Sequence, residues 1–483
     1  MTAHRLSQSL AVLVTVLAAR EPCAAAAEPA EPSGIAAPVA MVGATLIDGT
    51  GAPPVRDATV VFSGGRIECA GRGCAVPKGA RSIDVRGLWI APGLVDAHVH
   101  FSQTGWADGR PDAMDVRDRY PYEKTSAELK AHPDRTFRSQ LCSGVTAVFD
   151  VGGYPWTVAM AHRPASSRAP HVAAAGPLLS TLDHWLNLPA ERQFMHLKDA
   201  ESARAGVAYL SSIGTDAVKV WYIVRSDMPV EKTATFVERA GDETKKARLP
   251  LIVHATGLAE AKVALKAGAK LLVHSVVDAP VDEEFLLLAK ANGTIYCPTL
   301  TVLNGYLSMN KAAFTGTPPA VDDPNGCVDP ATLAKVAESA RAATAGLADR
   351  VAGLEKRKAD TERHSFSNLK RVFDAGIPIA MGTDAGNPLT LHGPSVYAEM
   401  EAMQAAGMTP AQVLVASTRG GAMAMGRERD FGTVETGKEA DLVVVAGDPT
   451  VDIRNLRKIR FVVRAGVVRS AGELKAAVTA GKW

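Results

Sequence analysis

Aromatic residues are scarce in this 483-residue chain, at 5%, so it offers few rings on which nucleobases could stack. Neither sign of charge predominates, with 53 Lys and Arg against 51 Asp and Glu. That balance argues against a dedicated polyanion binder, and no nucleic-acid partner is expected. No Cys-x-x-Cys pair occurs among the 6 cysteines, which speaks against a thiolate zinc site. No Gly-x-Gly-x-x-Gly follows a strand-like run, so a dinucleotide fold has no support. The first apolar run, "LAVLVTVLAA", is half the roughly 20 residues that a membrane-spanning helix needs, and no span is expected.

That run has another reading. It follows a basic start with His4 and Arg5 and precedes the small, Pro-rich "REPCAAAAEPAEPS". The pattern predicts a cleaved signal peptide over residues 1–27, with Ala24 and Ala26 near the cut, and a periplasmic or secreted protein. An exported chain meets an oxidising compartment in which cysteines pair. Cys69 and Cys74 flank the turn "AGRG" and are expected to bridge a hairpin. Cys297 and Cys327 are expected to tie down a long insertion, leaving Cys142 as a free thiol.

Hydrophobic residues make up 47% of the chain, ample for a large core. Short β-rich segments broken by glycine occupy residues 38–90, and the same texture returns at 427–475. Neither piece closes a stable domain alone, so together they predict one small β-sandwich domain built from both chain ends. Between them, residues 91–426 alternate strand-like runs with helical stretches. Eight runs can be read: "LWIAPGLVDAHVH", "GVTAVFDVGG", "HVAAAGPLLS", "AVKVWYIV", "PLIVHA", "LLVHSV", "TIYCPTL" and "IPIAMGTDA". The expectation is an α/β fold with a (β/α)8 TIM barrel, whose chemistry sits at the C-terminal strand ends. The connection from Thr301 to Ala375 exceeds what a barrel loop needs, and loops of that length often form lids or substrate walls. Within it, Leu333, Val336, Leu347, Val351 and Leu354 recur at helical spacing.

Polar residues fall at the strand ends. The first run closes on His98 and His100, the fourth carries Lys219, and the fifth and sixth end in His254 and His274. The eighth ends in Asp384. Each sits among residues expected to be buried, where an unpaired polar group is costly. Residues two apart on a strand share a face, so His98 and His100 can converge on one ion. Four histidines and a carboxylate suit Zn²⁺ or a similar divalent ion. Lys219 is the odd member, because an ammonium repels a cation. Burial lowers a lysine pKa, and a neutral lysine can react with CO₂ to give an anionic carbamate that bridges two ions. Asp96 shares the face of His98, either orienting a ligand or capping a turn at the barrel edge.

The motifs "PGLVDAHVH", "AVKVW", "IVHA", "LVHS" and "GTDA", with the terminal "GTVETGKEADLVVV", resemble the amidohydrolase superfamily. The resemblance covers essentially everything after residue 38. It is closest to binuclear members with a carboxylated lysine, related to imidazolonepropionase-like proteins, Xaa-dipeptidases and ochratoxin-type amidases. It implies that His98, His100 and Asp384 hold one divalent ion, His254 and His274 the other, and carboxylated Lys219 bridges them. Metal-activated hydroxide would attack a small-molecule amide, with Asp384 as proton shuttle and His274 beside the polarised carbonyl. A dipeptide or N-acyl amino acid is the expected substrate. The alternatives are a mononuclear deaminase or cyclic amide/imide hydrolase, and a non-catalytic metal-binding protein. Tyr154, His184, Tyr222 and Arg225 follow strand ends and are candidate substrate contacts, Arg225 as a fork for a carboxylate. A homo-oligomer is compatible with the sequence.

Overall fold

The computed structural model describes residues 37–342 and 345–483, and the expected signal peptide lies outside them. Among the described residues no helix is long and apolar enough to cross a membrane.

Strands from both chain ends share one sheet. Its order is Val467–Ser470, Ile459–Arg464, Leu442–Val445, Trp89–Pro92, Val39–Leu46, Val55–Ser63 and Arg66–Gly71, with Arg81–Asp84 also pairing with Val39–Leu46. Leu442–Val445 shows why "LVVV" is apolar throughout. Leu442 and Val444 join Met41, Phe62 and Ile90 in the β domain's own core, while Val443 and Val445 face the larger core of the barrel. Alternation on a strand lets one segment serve both.

The first run divides between the two domains. Trp89–Pro92 pairs with Leu442–Val445, whereas Leu94–Val99 pairs with Val145–Asp150. Sequence reading counted the run as one barrel strand while setting the domain boundary at residue 90, because both halves are apolar and periodicity cannot say which sheet takes each.

Parallel pairing then passes along the barrel runs. Val145–Asp150 meets His171–Ala174, and that run continues as Leu178–Ser180 beside Val218–Trp221. Leu251–His254, Leu271–Val273 and Ile295–Cys297 follow. The eighth run is joined by single bonds. Tyr296 N donates to Pro378 O and Ala97 N to Met381 O, each at 2.9 Å, and Asp384 N donates to His98 O at 2.7 Å. Gly382 permits this approach, since a Cβ there would lie 2.8 Å from His98 Cβ and 2.5 Å from Cys297 Sγ.

Helices follow the strands. Val230–Ala247 buries Thr233, Val237, Ala240, Gly241 and Thr244, the stripe of a helix with one face on a core. Asp199 caps Ala200–Ser212 with a capping box, satisfying amide groups that the first turn leaves open.

The long connection is helical but not one helix. Val302–Thr315, Pro330–Ala337 and Leu347–Asp374 carry it, so the expected continuous run from Leu333 to Leu354 breaks between its halves. Among its ties to the rest of the chain are three that reach the first half of the sequence. Lys335 Nζ pairs with buried Asp108 at 2.6 Å. Trp106 Nε1 donates to Ser339 Oγ at 2.9 Å. Cys327 is disulfide-bonded to Cys142. The last tie corrects the expected cysteine pairing. Cys142 reaches the insertion from the helix Asp134–Cys142, while Cys297 is a buried free thiol on a barrel strand. The expected Cys69–Cys74 bridge is present.

Candidate active site

Alternation aims most of the strand-end residues inward. Val218 and Val220 pack outward and Ala217 inward, so Lys219 shares the inner face. Leu251 and Val253 likewise face out and Ile252 in, which turns His254 inward. His274 breaks the rule. Val273 is already an inner residue, so His274 should point outward. Instead its φ is +72°, and Asp384 at the eighth run has φ +63°. Left-handed backbone at non-glycine residues is uncommon and costs about 1–3 kcal/mol where it persists. Here it swings a strand-end side chain back over the barrel mouth.

The ligand atoms converge. His98 Nε2 lies 3.2 Å from His100 Nε2. Asp384 Oδ1 is 3.2 Å from His98 Nε2 and 2.9 Å from His100 Nε2. Yet Asp384 Oδ1 is buried and makes no hydrogen bond of acceptable geometry. A carboxylate oxygen facing two imidazoles in this way fits a shared cation. The rings of His254 and His274 are 4.3 Å apart, and that of His98 is 5.0 Å from His274.

Neighbouring groups set the tautomers. His100 Nδ1 lies 2.7 Å from Gly152 O. A carbonyl only accepts, so Nδ1 carries the proton and Nε2 presents its lone pair. His274 Nδ1 is 2.6 Å from Thr299 Oγ1, which leaves its Nε2 for the centre. Asp96 accepts from Thr383 Oγ1 at 2.6 Å and from the backbone of Thr383 and His98 at 3.0 and 3.2 Å. It therefore ties the first ligand strand to the eighth.

Burial keeps these groups neutral where neutrality helps a cation bind. It pushes His98 down to about 4 and His254 to about 3, and His274 well below its ordinary value. Burial lowers Lys219 to about 7, against the pull of Asp384. Among the described residues Lys219 has no hydrogen bond or ion pair, and it is 2% exposed. Burial raises Asp384, but His98 and His100 more than offset this and hold it well below the carboxylate range. A second grouping, His171 with Glu439 and Asp441, lies between the barrel and the β domain. Arg464 Nη1 sits 3.3 Å from Asp441 there, so a cation is already in place.

The centre opens into a cavity of about 610 Å³. Of the expected substrate contacts, His184 and Tyr222 line it, the latter with its hydroxyl 3.0 Å from Thr233 Oγ1. Tyr154 does not: it is fully buried, its hydroxyl 2.9 Å from that of Tyr122. Arg225 also lies off the wall, exposed and paired with Asp227 at 3.1 Å. A two-residue bridge between Arg225 and Met228 turns that loop outward. Sequence reading missed Arg110, Asp112, Glu260, Tyr306, Arg357 and Asn387, all of which line the cavity. Tyr306 Oη donates to Asn387 Oδ1 at 2.6 Å, and Arg110 bonds the same oxygen. Of these, Tyr306 and Arg357 lie in the Thr301–Ala375 connection, whose length was the one hint that it lines a substrate site.

The chain is similar to several known proteins. The sequence pattern of the amidohydrolase family matches residues 89–471. The chain is 40% identical to the imidazolonepropionase of Cutibacterium acnes over 85 residues, which is 17% of this chain and spans only 21% of that protein. It is 29% identical to the imidazolonepropionase of Caulobacter vibrioides over 83% of this chain and 90% of that one. A Xaa-Pro dipeptidase crystallised with methionine in its active site superposes with a TM-score of 0.65 at 22% identity, over 90% of this chain and 100% of the other. The chain belongs to the amidohydrolase family, with its TIM barrel and β-sandwich domain. It is a metal-dependent hydrolase acting on C–N bonds.

Proposed function

We propose that this hydrolase works with two divalent ions, zinc in our reading, and cleaves the amide bond of a dipeptide or an N-acyl amino acid. His98, His100 and Asp384 would hold one ion and His254 and His274 the other. Lys219, carboxylated by CO₂ with release of a proton, would supply the bridging anion. The observation that carries this reading is Lys219: a buried amine with no hydrogen bond or ion pair among the described residues, close enough for its charge to act on His98, His254 and His274. As an ammonium it would oppose any cation, and as a carbamate it becomes a ligand.

Divalent ions held there would supply an acidified water and Lewis acidity toward the scissile carbonyl. The chain's own residues do the rest. Asp384, ionised beside His98 and His100, accepts the attacking water's proton and delivers it to the leaving nitrogen. Thr299 and Gly152 fix the ring orientations of His274 and His100, and Asp96 keeps strands one and eight in register. The helices Val302–Thr315 and Leu347–Asp374 contribute one wall of the cavity.

The full-length similarity to imidazolonepropionases favours a second reading, a cyclic amide hydrolase with one ion on His98, His100 and Asp384. Metal analysis of the native protein separates the two. Two ions per chain, falling to one or none in Lys219→Ala, supports the binuclear reading. One ion and full activity in Lys219→Ala refutes it. A panel of dipeptides, N-acyl amino acids, cyclic amides and lactones assayed with the zinc-loaded protein then assigns the bond. We also propose export, which two disulfides support; retention of residues 1–27 in the protein from its host would refute it.

A further inference from the structure

The charge inventory of the cavity wall narrows the substrate. Its charged residues are Arg110, Asp112, Lys219, Glu260, Arg357 and Asp384. Lys219 and Asp384 belong to the candidate metal centre. Arg110 and Asp112 neutralise each other at 2.8 Å. That leaves one anion and one cation. Neither Glu260 nor Arg357 has an ion pair or a hydrogen bond to another side chain among the described residues.

The two come from different walls. Glu260 stands in the first turn of Leu258–Lys266, six residues after His254. Burial raises its carboxyl, and Asp278 nearby raises it further, so a cation arriving there would be welcome. Arg357 projects from the middle of Leu347–Asp374, the long lid helix. It is exposed yet lines the cavity, close enough for its charge to act on His254 and Tyr306. A guanidinium fork matches a carboxylate in a way an ammonium does not.

We propose that Glu260 and Arg357 bind the two charged ends of a free dipeptide, Glu260 taking the α-ammonium and Arg357 the α-carboxylate. The inference rests on the amide-hydrolase reading above and selects within it. A lactone or cyclic amide without a charged side chain answers neither charge, and one that carries a carboxylate answers only Arg357. An N-acyl amino acid answers only Arg357. A free dipeptide answers both, in a cavity that the candidate metal ligands also line. The cavity, within the range of about 300–1,000 Å³ usual for small-molecule sites, has room for such a molecule.

Binding tests this apart from turnover. Ketomethylene isosteres of dipeptides, which cannot be cleaved, are titrated calorimetrically into the zinc-loaded full-length protein in three forms: free, C-terminally amidated and N-acetylated. The expected result is about tenfold tighter binding of the free form than of either blocked form, as for a charge-assisted pair. Arg357→Met should remove the preference over the amide while keeping that over the acetylated form, and Arg357→Lys should restore part of it. Glu260→Gln should do the reverse. Equal binding of all three forms overturns the proposal, as does no binding of any. So does an Arg357→Met variant that weakens the amidated form as much as the free one. If the preferences hold but no dipeptide is hydrolysed, the hydrolytic reading fails and the recognition stands.

Discussion

Replacing Glu399 by glutamine should remove a defined part of the pH dependence of stability. Glu399 is fully buried and accepts from Leu300 N at 2.7 Å, Thr301 N at 3.0 Å and Thr301 Oγ1 at 2.8 Å. Those donors favour the carboxylate, but burial outweighs them and pushes Glu399 from 4.5 up to about 7. The folded state therefore holds a proton that the unfolded chain releases between these two values. Stability from this group is complete below pH 4.5, falls as pH rises through the window, and levels off above pH 7. Integrated from pH 5 to pH 8, the loss is about 2.5 kcal/mol. Glutamine cannot ionise, so the variant lacks this slope while sharing every other titration. Urea unfolding of both proteins at pH 5, 6, 7 and 8, at fixed metal concentration, reads the difference. Wild type should lose about 2.5 kcal/mol more than Glu399→Gln across the series. Parallel slopes, with one constant offset, would show that Glu399 titrates normally and that burial does not dominate its environment.

Three further outcomes follow from single contacts. Thr299→Val removes the group that holds His274 Nδ1, and should weaken zinc binding about 10–100-fold in a chelator competition with little change in unfolding. The disulfides should differ in weight: with sequence separations of 185 and 5, loop closure gives about 5 kcal/mol for Cys142–Cys327 and about 2 kcal/mol for Cys69–Cys74, and serine replacement of each pair with measured unfolding midpoints checks the order. Arg225→Ala should leave kcat/KM within about twofold for every substrate, since an exposed pair with Asp227 contributes at most about 1 kcal/mol; a larger loss would bring Arg225 back to the cavity.

The candidate ligands were legible because they break a local pattern. An imidazole or an amine at the end of an apolar strand is expensive, and five such strand ends on one barrel need a common reason. Alternation even predicts the inward aim of Lys219 and His254. For His274 the same rule predicts the wrong face, because a single left-handed residue reverses it and no residue type announces that. The first apolar run was counted as a single strand for a related reason: two sheets of equal hydrophobicity compete for it, and Pro92–Gly93 lies at the change. Cys142 and Cys327 were not paired in the sequence reading because they lie 185 residues apart, and only the folded lid brings them together.

Substrate contacts were illegible for a different physical reason. A reading from strand ends searches a few residues past each strand, which is how Tyr154 and Arg225 were chosen. The chain after those strands goes elsewhere, Tyr154 into the interior and Arg225 into a solvent-facing turn. The cavity's unpaired charges come instead from one helix start and from the middle of a 28-residue lid helix. On that helix Arg357 is one of several exposed cations, with Lys356 and Lys358 on either side. Those two pair with Asp360 and Glu362 four residues on, the ordinary fate of a helix-surface lysine. Among the described residues Arg357 has no such partner, and this separates it from its neighbours only once the pairs are seen. The ligand set would then be retained by any member that cleaves an amide here, while the identity of the substrate would shift with the residues that the lid leaves unpaired.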